Sequence, residues 1–121
     1  MATKILLVED DPLLIDIYLT KLKAENFEVE IAKDGEEAIN KWKEFCPDLI
    51  ILDIVLPNND GWEVLKKIRQ EDSSTKILIL SNLSQKEEVE KGLQLGADIY
   101  LIKSEYTPSE VINKIKQLLS T

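Results

Sequence analysis

The chain has 121 residues, enough for one domain with a proper core and too few for two ordinary ones. With 44% hydrophobic and 31% charged residues it reads as soluble and globular, and its net charge of -8 offers no basic footprint for nucleic-acid phosphates. The absence of histidine excludes a His general base, a zinc site of the usual type and a phosphohistidine, while the single cysteine, Cys46, fits a reducing cytoplasm.

The opening MATK (1–4) runs straight into an apolar stretch and leaves no room for a leader, and the longest apolar runs are strand-sized, which predicts no membrane span. KILLV (4–8) reads as a buried strand. It ends abruptly in Glu9, Asp10 and Asp11, and Asp11 followed by Pro12 has the cap-then-proline pattern of a helix start. FEVEIA (27–32) alternates Phe27, Val29 and Ile31 with Glu28 and Glu30, which predicts a half-exposed strand at a sheet edge. Asp34 and Glu37 have capping-box spacing, and Ala38, Ile39, Trp42, Phe45 and Cys46 follow as a helical stripe.

DLIIL (48–52) is a second buried strand; Asp53 follows it directly, and PNNDG (57–61) reads as a loop. KILIL (76–80) is a third and ends in Ser81. Ser84 and Glu87 repeat the capping spacing ahead of a helix at roughly 85–95. That helix has the thinnest apolar stripe, Val89 and Leu93 with Gly92 between, and is expected to be the loosest element. IYLI (99–102) is a fourth buried strand, followed by Lys103. Thr107, Pro108 and Glu110 then open a last helix with the stripe Val111, Ile112, Ile115, Leu118 and Leu119.

Strand and helix alternate five times, which implies an α/β fold with a parallel sheet covered on both faces. Placing the continuous apolar strands in the middle and the alternating one at an edge gives a doubly wound, flavodoxin-like sheet of order 2-1-3-4-5. The whole of 1–121 is read as one domain.

In such a sheet the site lies beyond the carboxyl ends of the strands. Those ends carry Glu9, Asp10 and Asp11, then Asp53, Ser81 and Lys103. Carboxylates without His or Cys make a hard, oxygen-only cluster suited to Mg²⁺, and neutralisation by that cation is the expected reason the acids tolerate one another. A lysine opposite them can hold an anionic group, and a serine hydroxyl can donate to the same group. Each residue alone has a plainer reading: Asp11 as a helix cap, Ser81 as a strand end, Lys103 as a solvated lysine. Their conjunction at four strand ends carries the weight.

ILLVEDD (5–11), DLIILDIVLPNNDG (48–61) and GADIYLIK (96–103) resemble the motifs of the receiver domain of two-component response regulators, and the resemblance covers essentially the whole chain. It implies that Asp53 accepts a phosphoryl group, and that Asp10, Asp11, Asp53 and the backbone carbonyl of Val55 hold Mg²⁺, directly or through water. It implies that Ser81 and Lys103 contact the phosphoryl oxygens, and that Tyr100 turns inward when Ser81 moves. The implied partners are a sensor histidine kinase as donor, a downstream effector domain or protein that reads the face of the fourth and fifth strands and the fourth and fifth helices, and a phosphorylation-dependent homodimer. No direct contact with nucleic acid or membrane is implied. The sequence departs from the common pattern at Leu56, Asn82, Ile99 and Ser104. Two alternatives stay open: a Mg²⁺-dependent phosphohydrolase working through an aspartyl phosphate, and an inactive pseudo-receiver.

Overall fold

A computed structural model of the chain describes residues 2–57 and 60–120; of the loop expected at 57–61, Asn58 and Asn59 lie outside the described residues. The strands β1 (Lys4–Val8), β2 (Glu28–Ala32), β3 (Leu49–Leu52), β4 (Lys76–Ser81) and β5 (Ile99–Ile102) form one parallel sheet. Its order is β2-β1-β3-β4-β5, as the strand patterns predict. The crossovers are α1 (Pro12–Ala24), α2 (Gly35–Phe45), α3 (Gly61–Glu71) and α4 (Lys86–Gln94), and α5 (Pro108–Leu119) follows β5 after a 3-10 turn at Lys103–Glu105.

Period-two alternation in the central strands sorts their side chains into two cores. Leu6, Val8, Ile50, Leu52, Ile77 and Ile79 pack with α2 and α3 through Trp42, Val64, Leu65 and Ile68. Ile5, Leu7, Leu49, Ile51, Leu78 and Leu80 pack on the other side with α1 and α5 through Tyr18, Leu22, Val111 and Ile115. Each such Leu or Ile contributes about 1.5–3 kcal/mol on burial, so the middle of the sheet is its most stable part.

Register then places the site. Val8 pairs with Leu52 and Leu52 with Ile79, so β1 and β3 end level. Glu9 and Asp53, one residue beyond, therefore stand side by side, and Asp53 N donates to Val8 O at 3.1 Å. Gly61 opens α3 hard against this edge: a Cβ there would lie 2.5 Å from Asp53 O, and its N–H donates to Ile54 O at 2.7 Å.

The helix starts follow the sequence with one shift. Asp11, Asp34 and Thr107 cap α1, α2 and α5 as predicted. Helix α4 begins one residue later than the Ser84–Glu87 spacing predicts: Gln85 is the cap, and its N–H donates to Glu88 Oε1 at 3.1 Å. Three further expectations change. Cys46, read as part of the α2 stripe, is the left-handed cap at φ 52 and is exposed, because the helix ends before its side chain turns inward. Leu93, read as buried stripe, is exposed, and Gly92 is the buried residue of α4. β5, read as a buried strand, lies at the edge that the predicted order gives it, and there Leu101 alone of its four residues is buried. Among the described residues no peptide bond is cis, so Lys103–Ser104 is trans. No described helix is long and apolar enough to cross a membrane.

Candidate functional site

Glu9, Asp10 and Asp53 bring carboxylate oxygens within 4.8 Å of one another at the carboxyl edge of β1 and β3. Glu9 and Asp53 are buried, and Asp10 is exposed. Lys103, carried over from β5, spans the two buried acids: its Nζ lies 2.7 Å from Glu9 Oε1 and 2.7 Å from Asp53 Oδ2. The other oxygen of Glu9 accepts from Asp10 N at 3.0 Å and Asp11 N at 3.1 Å. The other oxygen of Asp53 accepts from Val55 N at 3.1 Å.

Sequence reasoning expected a divalent cation to reconcile these acids. Here an ammonium does that for Glu9 and Asp53, and Asp11 is occupied otherwise. Its Oδ1 accepts from Leu13 N at 2.9 Å as the α1 cap, outside the three-carboxylate group. Glu9 takes the place that the expected set gave to Asp11. Two features of the sequence point that way: Glu9 directly extends a strand paired with β3, and Asp11 precedes Pro12 at a helix start.

Burial alone would lower the Lys103 ammonium, but hydrogen bonds to Asp53 and Glu9 outweigh it and hold the group above its ordinary value. Burial pushes the Glu9 carboxyl up, against the hydrogen bonds from Lys103 and Asp11 N and with the Asp53 charge adding to the rise. The two directions pull differently on one ion pair. Lys103 has two carboxylate partners while Glu9 shares its cation, so the charged ammonium is the firmer of the two states. Tyr18, which the sequence did not single out, lies buried on α1 within the field of Lys103 and Glu9, and burial pushes its phenol up to about 12.

Ser81 is fully buried at the end of β4, and its Oγ accepts from Leu83 N at 3.3 Å. Tyr100 O–H donates to Leu83 O at 2.7 Å. Burial raises the Tyr100 hydroxyl above its ordinary value, with Glu88 adding to the rise and Ser81 opposing it. Of the sequence-predicted residues, the structure thus gathers Asp10, Asp53 and Lys103 in one group, and joins Ser81 to Tyr100 through Leu83. Val55 meets the group through its N–H, and its side chain is 59% exposed. Leu56 packs against the α2–α3 core, and Asn82 and Ser104 are exposed.

The donor set is oxygen-only and hard, with two buried carboxylates and one open to water, which fits an octahedral cation that keeps several waters. A carboxylate held beside an ammonium and two further acids can bind a cation, or can attack an electrophile whose negative charge the ammonium then receives.

The sequence matches the response regulator receiver domain over residues 5–116. It is 39% identical over 119 residues to the alkaline phosphatase synthesis transcriptional regulatory protein PhoP of Bacillus subtilis, covering 98% of this chain and 49% of that protein. It is 35% identical over 121 residues to the chemotaxis protein CheY of Halobacterium salinarum, covering 99% of each. The crystal structure of a CheY-like receiver domain protein from Methanospirillum hungatei superposes with a TM-score of 0.93 at 31% identity, covering 99% of this chain and 95% of that one. The chain spans about half the length of the transcriptional regulators among these relatives. It belongs to the family of response regulator receiver domains.

Proposed function

We propose that residues 1–121 act as one receiver domain in a cytoplasmic phosphorelay, in which Asp53 accepts a phosphoryl group from the phosphohistidine of a sensor kinase. The donor is external, because this chain has no histidine. The observation that carries the reading is Lys103 Nζ, 2.7 Å from a buried Asp53 carboxylate and anchored from behind by Glu9. An Asp53 carboxylate oxygen bonds to phosphorus as the bond from phosphorus to the donor nitrogen breaks, and the electron pair leaves on the imidazole. Lys103, already charged and in place, turns from the carboxylate to the phosphoryl oxygens and stabilises their charge. Ser81 accepts from Leu83 and keeps its own proton to donate to a phosphoryl oxygen.

Asp10 and Asp53, with Glu9 beside them and the Val55 carbonyl as a further oxygen, would hold Mg²⁺, with Asp11 left as the helix cap. When bound, Mg²⁺ neutralises the carboxylates and screens the charge of the incoming group. Outward from the site, Ser81, Leu83 and Tyr100 pass the change to α4 and β5, the face that a downstream effector domain or protein reads. The domain turns over no separate substrate; its chemistry is its own phosphorylation and dephosphorylation.

Intact mass after incubation with Mg²⁺ and acetyl phosphate tests the reading. One added phosphoryl group is expected, and Asp53→Asn should abolish it entirely. Persistent labelling of Asp53→Asn would place the nucleophile elsewhere, and steady turnover of a small phosphomonoester would favour the phosphohydrolase alternative.

A further inference from the structure

Gly92 lies in the last turn of α4, still inside a helix, where glycine is among the least favourable residues. Its backbone is ordinary helix, so conformational freedom does not explain it. Space does. A Cβ at this position would come 2.8 Å from Tyr100 Cδ2, 3.2 Å from Tyr100 Cε2 and 2.8 Å from Ile79 Cδ1. The bare face of Gly92 is therefore the seat of the Tyr100 ring, on an edge strand where Leu101 alone is fully buried.

The other end of Tyr100 is also held. Its hydroxyl donates to Leu83 O at 2.7 Å, and Leu83 N donates to Ser81 Oγ at 3.3 Å. One short stretch of backbone thus links the seated ring to the hydroxyl of Ser81, at the carboxyl end of β4. Moving the ring off Gly92 draws its hydroxyl away from Leu83, and Leu83 in turn loosens its hold on Ser81.

We infer that Gly92 is a positioning residue: by lacking a side chain it seats Tyr100, and through Leu83 it holds Ser81 Oγ where a phosphoryl oxygen can meet it. The inference rests on the phosphoacceptor reading above and adds a residue that touches neither metal nor phosphoryl group. It also accounts for the thin apolar stripe of α4. The helix contributes to its own packing mainly by what it leaves out.

Titration of the full chain with beryllofluoride under saturating Mg²⁺, beside titration with Mg²⁺ alone, tests this. Gly92→Ala should weaken beryllofluoride binding by about fivefold or more, in the range of ordinary site-to-site coupling, and leave Mg²⁺ affinity as in wild type. Tyr100→Phe, which keeps the ring and removes the bond to Leu83, should weaken it as well. The double variant should be no weaker than the poorer single variant, since both act on one link. If Gly92→Ala does not fold, Gly92→Ala with Ile79→Val removes the Ile79 contact, keeps the Tyr100 contact and must show the same weakening. A Gly92 variant that melts earlier but binds beryllofluoride as wild type does overturns the inference, as does a double variant whose loss is the product of the singles. Wild type that fails to bind beryllofluoride overturns both this inference and the phosphoacceptor reading.

Discussion

Two groups of polar residues gather around carboxylates at opposite ends of the sheet, and they are built on opposite principles. Asp72, just before β4, accepts from Trp42 Nε1, from Ser74 N and Oγ, and from Thr75 N and Oγ1. Burial alone would raise its carboxyl, but these donors, led by Thr75, hold it far below the usual carboxylate range. At the other end Glu9 and Asp53 share one ammonium with Asp10 beside them, and burial pushes Glu9 up. A carboxylate with every lone pair answered is a structural fastener. A group with more anionic charge than its neighbours answer has capacity left for something from outside, and that surplus marks the functional end of the molecule.

Removing the ammonium should break the contrast most severely. Lys103→Ala leaves two buried carboxylates facing each other and should cost about 3 kcal/mol of metal-free stability. Added Mg²⁺ should return a good part of that by binding the folded chain. Urea unfolding with and without Mg²⁺ measures both, and an unchanged metal-free midpoint would show that the acids do not depend on Lys103.

The fastener should fail by a smaller amount and without any response to metal. Asp72→Asn keeps one acceptor oxygen but turns an amide toward donors, at a cost of about 2 kcal/mol. Its pH dependence has a definite sign. The unfolded chain protonates Asp72 near its ordinary value of 3.8 and the folded chain only at much lower pH, so this stability is complete above about pH 5 and lost as pH falls below 4. Unfolding measured from pH 6 to pH 3 should therefore fall less steeply for Asp72→Asn than for wild type. Equal slopes would mean that Asp72 is not the group responsible.

The smallest effects sharpen the membership of the functional group. Asp10→Asn removes a charge from the three-carboxylate cluster, and should raise the metal-free midpoint slightly while weakening Mg²⁺ binding. Asp11→Asn should leave both nearly unchanged, because asparagine caps a helix as well as aspartate does. Calorimetric titration with Mg²⁺ separates the two, and a larger loss for Asp11→Asn would restore Asp11 to the metal set.

Most of this was legible in the residues because it rests on local signals. The alternation of FEVEIA gave the edge strand, Asp11-Pro12 and Thr107-Pro108 gave two helix starts, and Asp53 stood out as an acid directly after an apolar strand. What escaped depends on contacts between distant segments. That Lys103 joins Glu9 to Asp53 depends on how β5 is placed relative to β1 and β3, which no local pattern contains. The assignment of Glu9 rather than Asp11 to the acid group depends on where the chain leaves β1 for α1: Glu9 directly extends the paired strand, and Asp11, two residues on, turns to cap the helix. The convergence on Asp72 joins α2 to the approach to β4 and has no motif at all. The exposure of Leu93 follows from Gly92 taking the inward position on α4, which spacing alone leaves undecided.

Arg69 has a consequence for motion. From α3 its Nε donates to Gly96 O at 2.8 Å and its guanidinium pairs with Asp98 at 3.1 Å, while Gly96, at φ 112, has no room for a Cβ beside the Arg69 side chain. The end of α4 is thus bolted to the body of the protein. Its start follows the loop at Asn82–Gln85, where Ser84 and Gln85 are exposed. A rod fixed at one end and lightly seated along its length moves as a lever, with its pivot at Gly96 and its travel greatest at residues 82–86. Small displacements at Ser81 would therefore be magnified at the near end of α4, and amide exchange should be fastest there and slowest at residues 96–98.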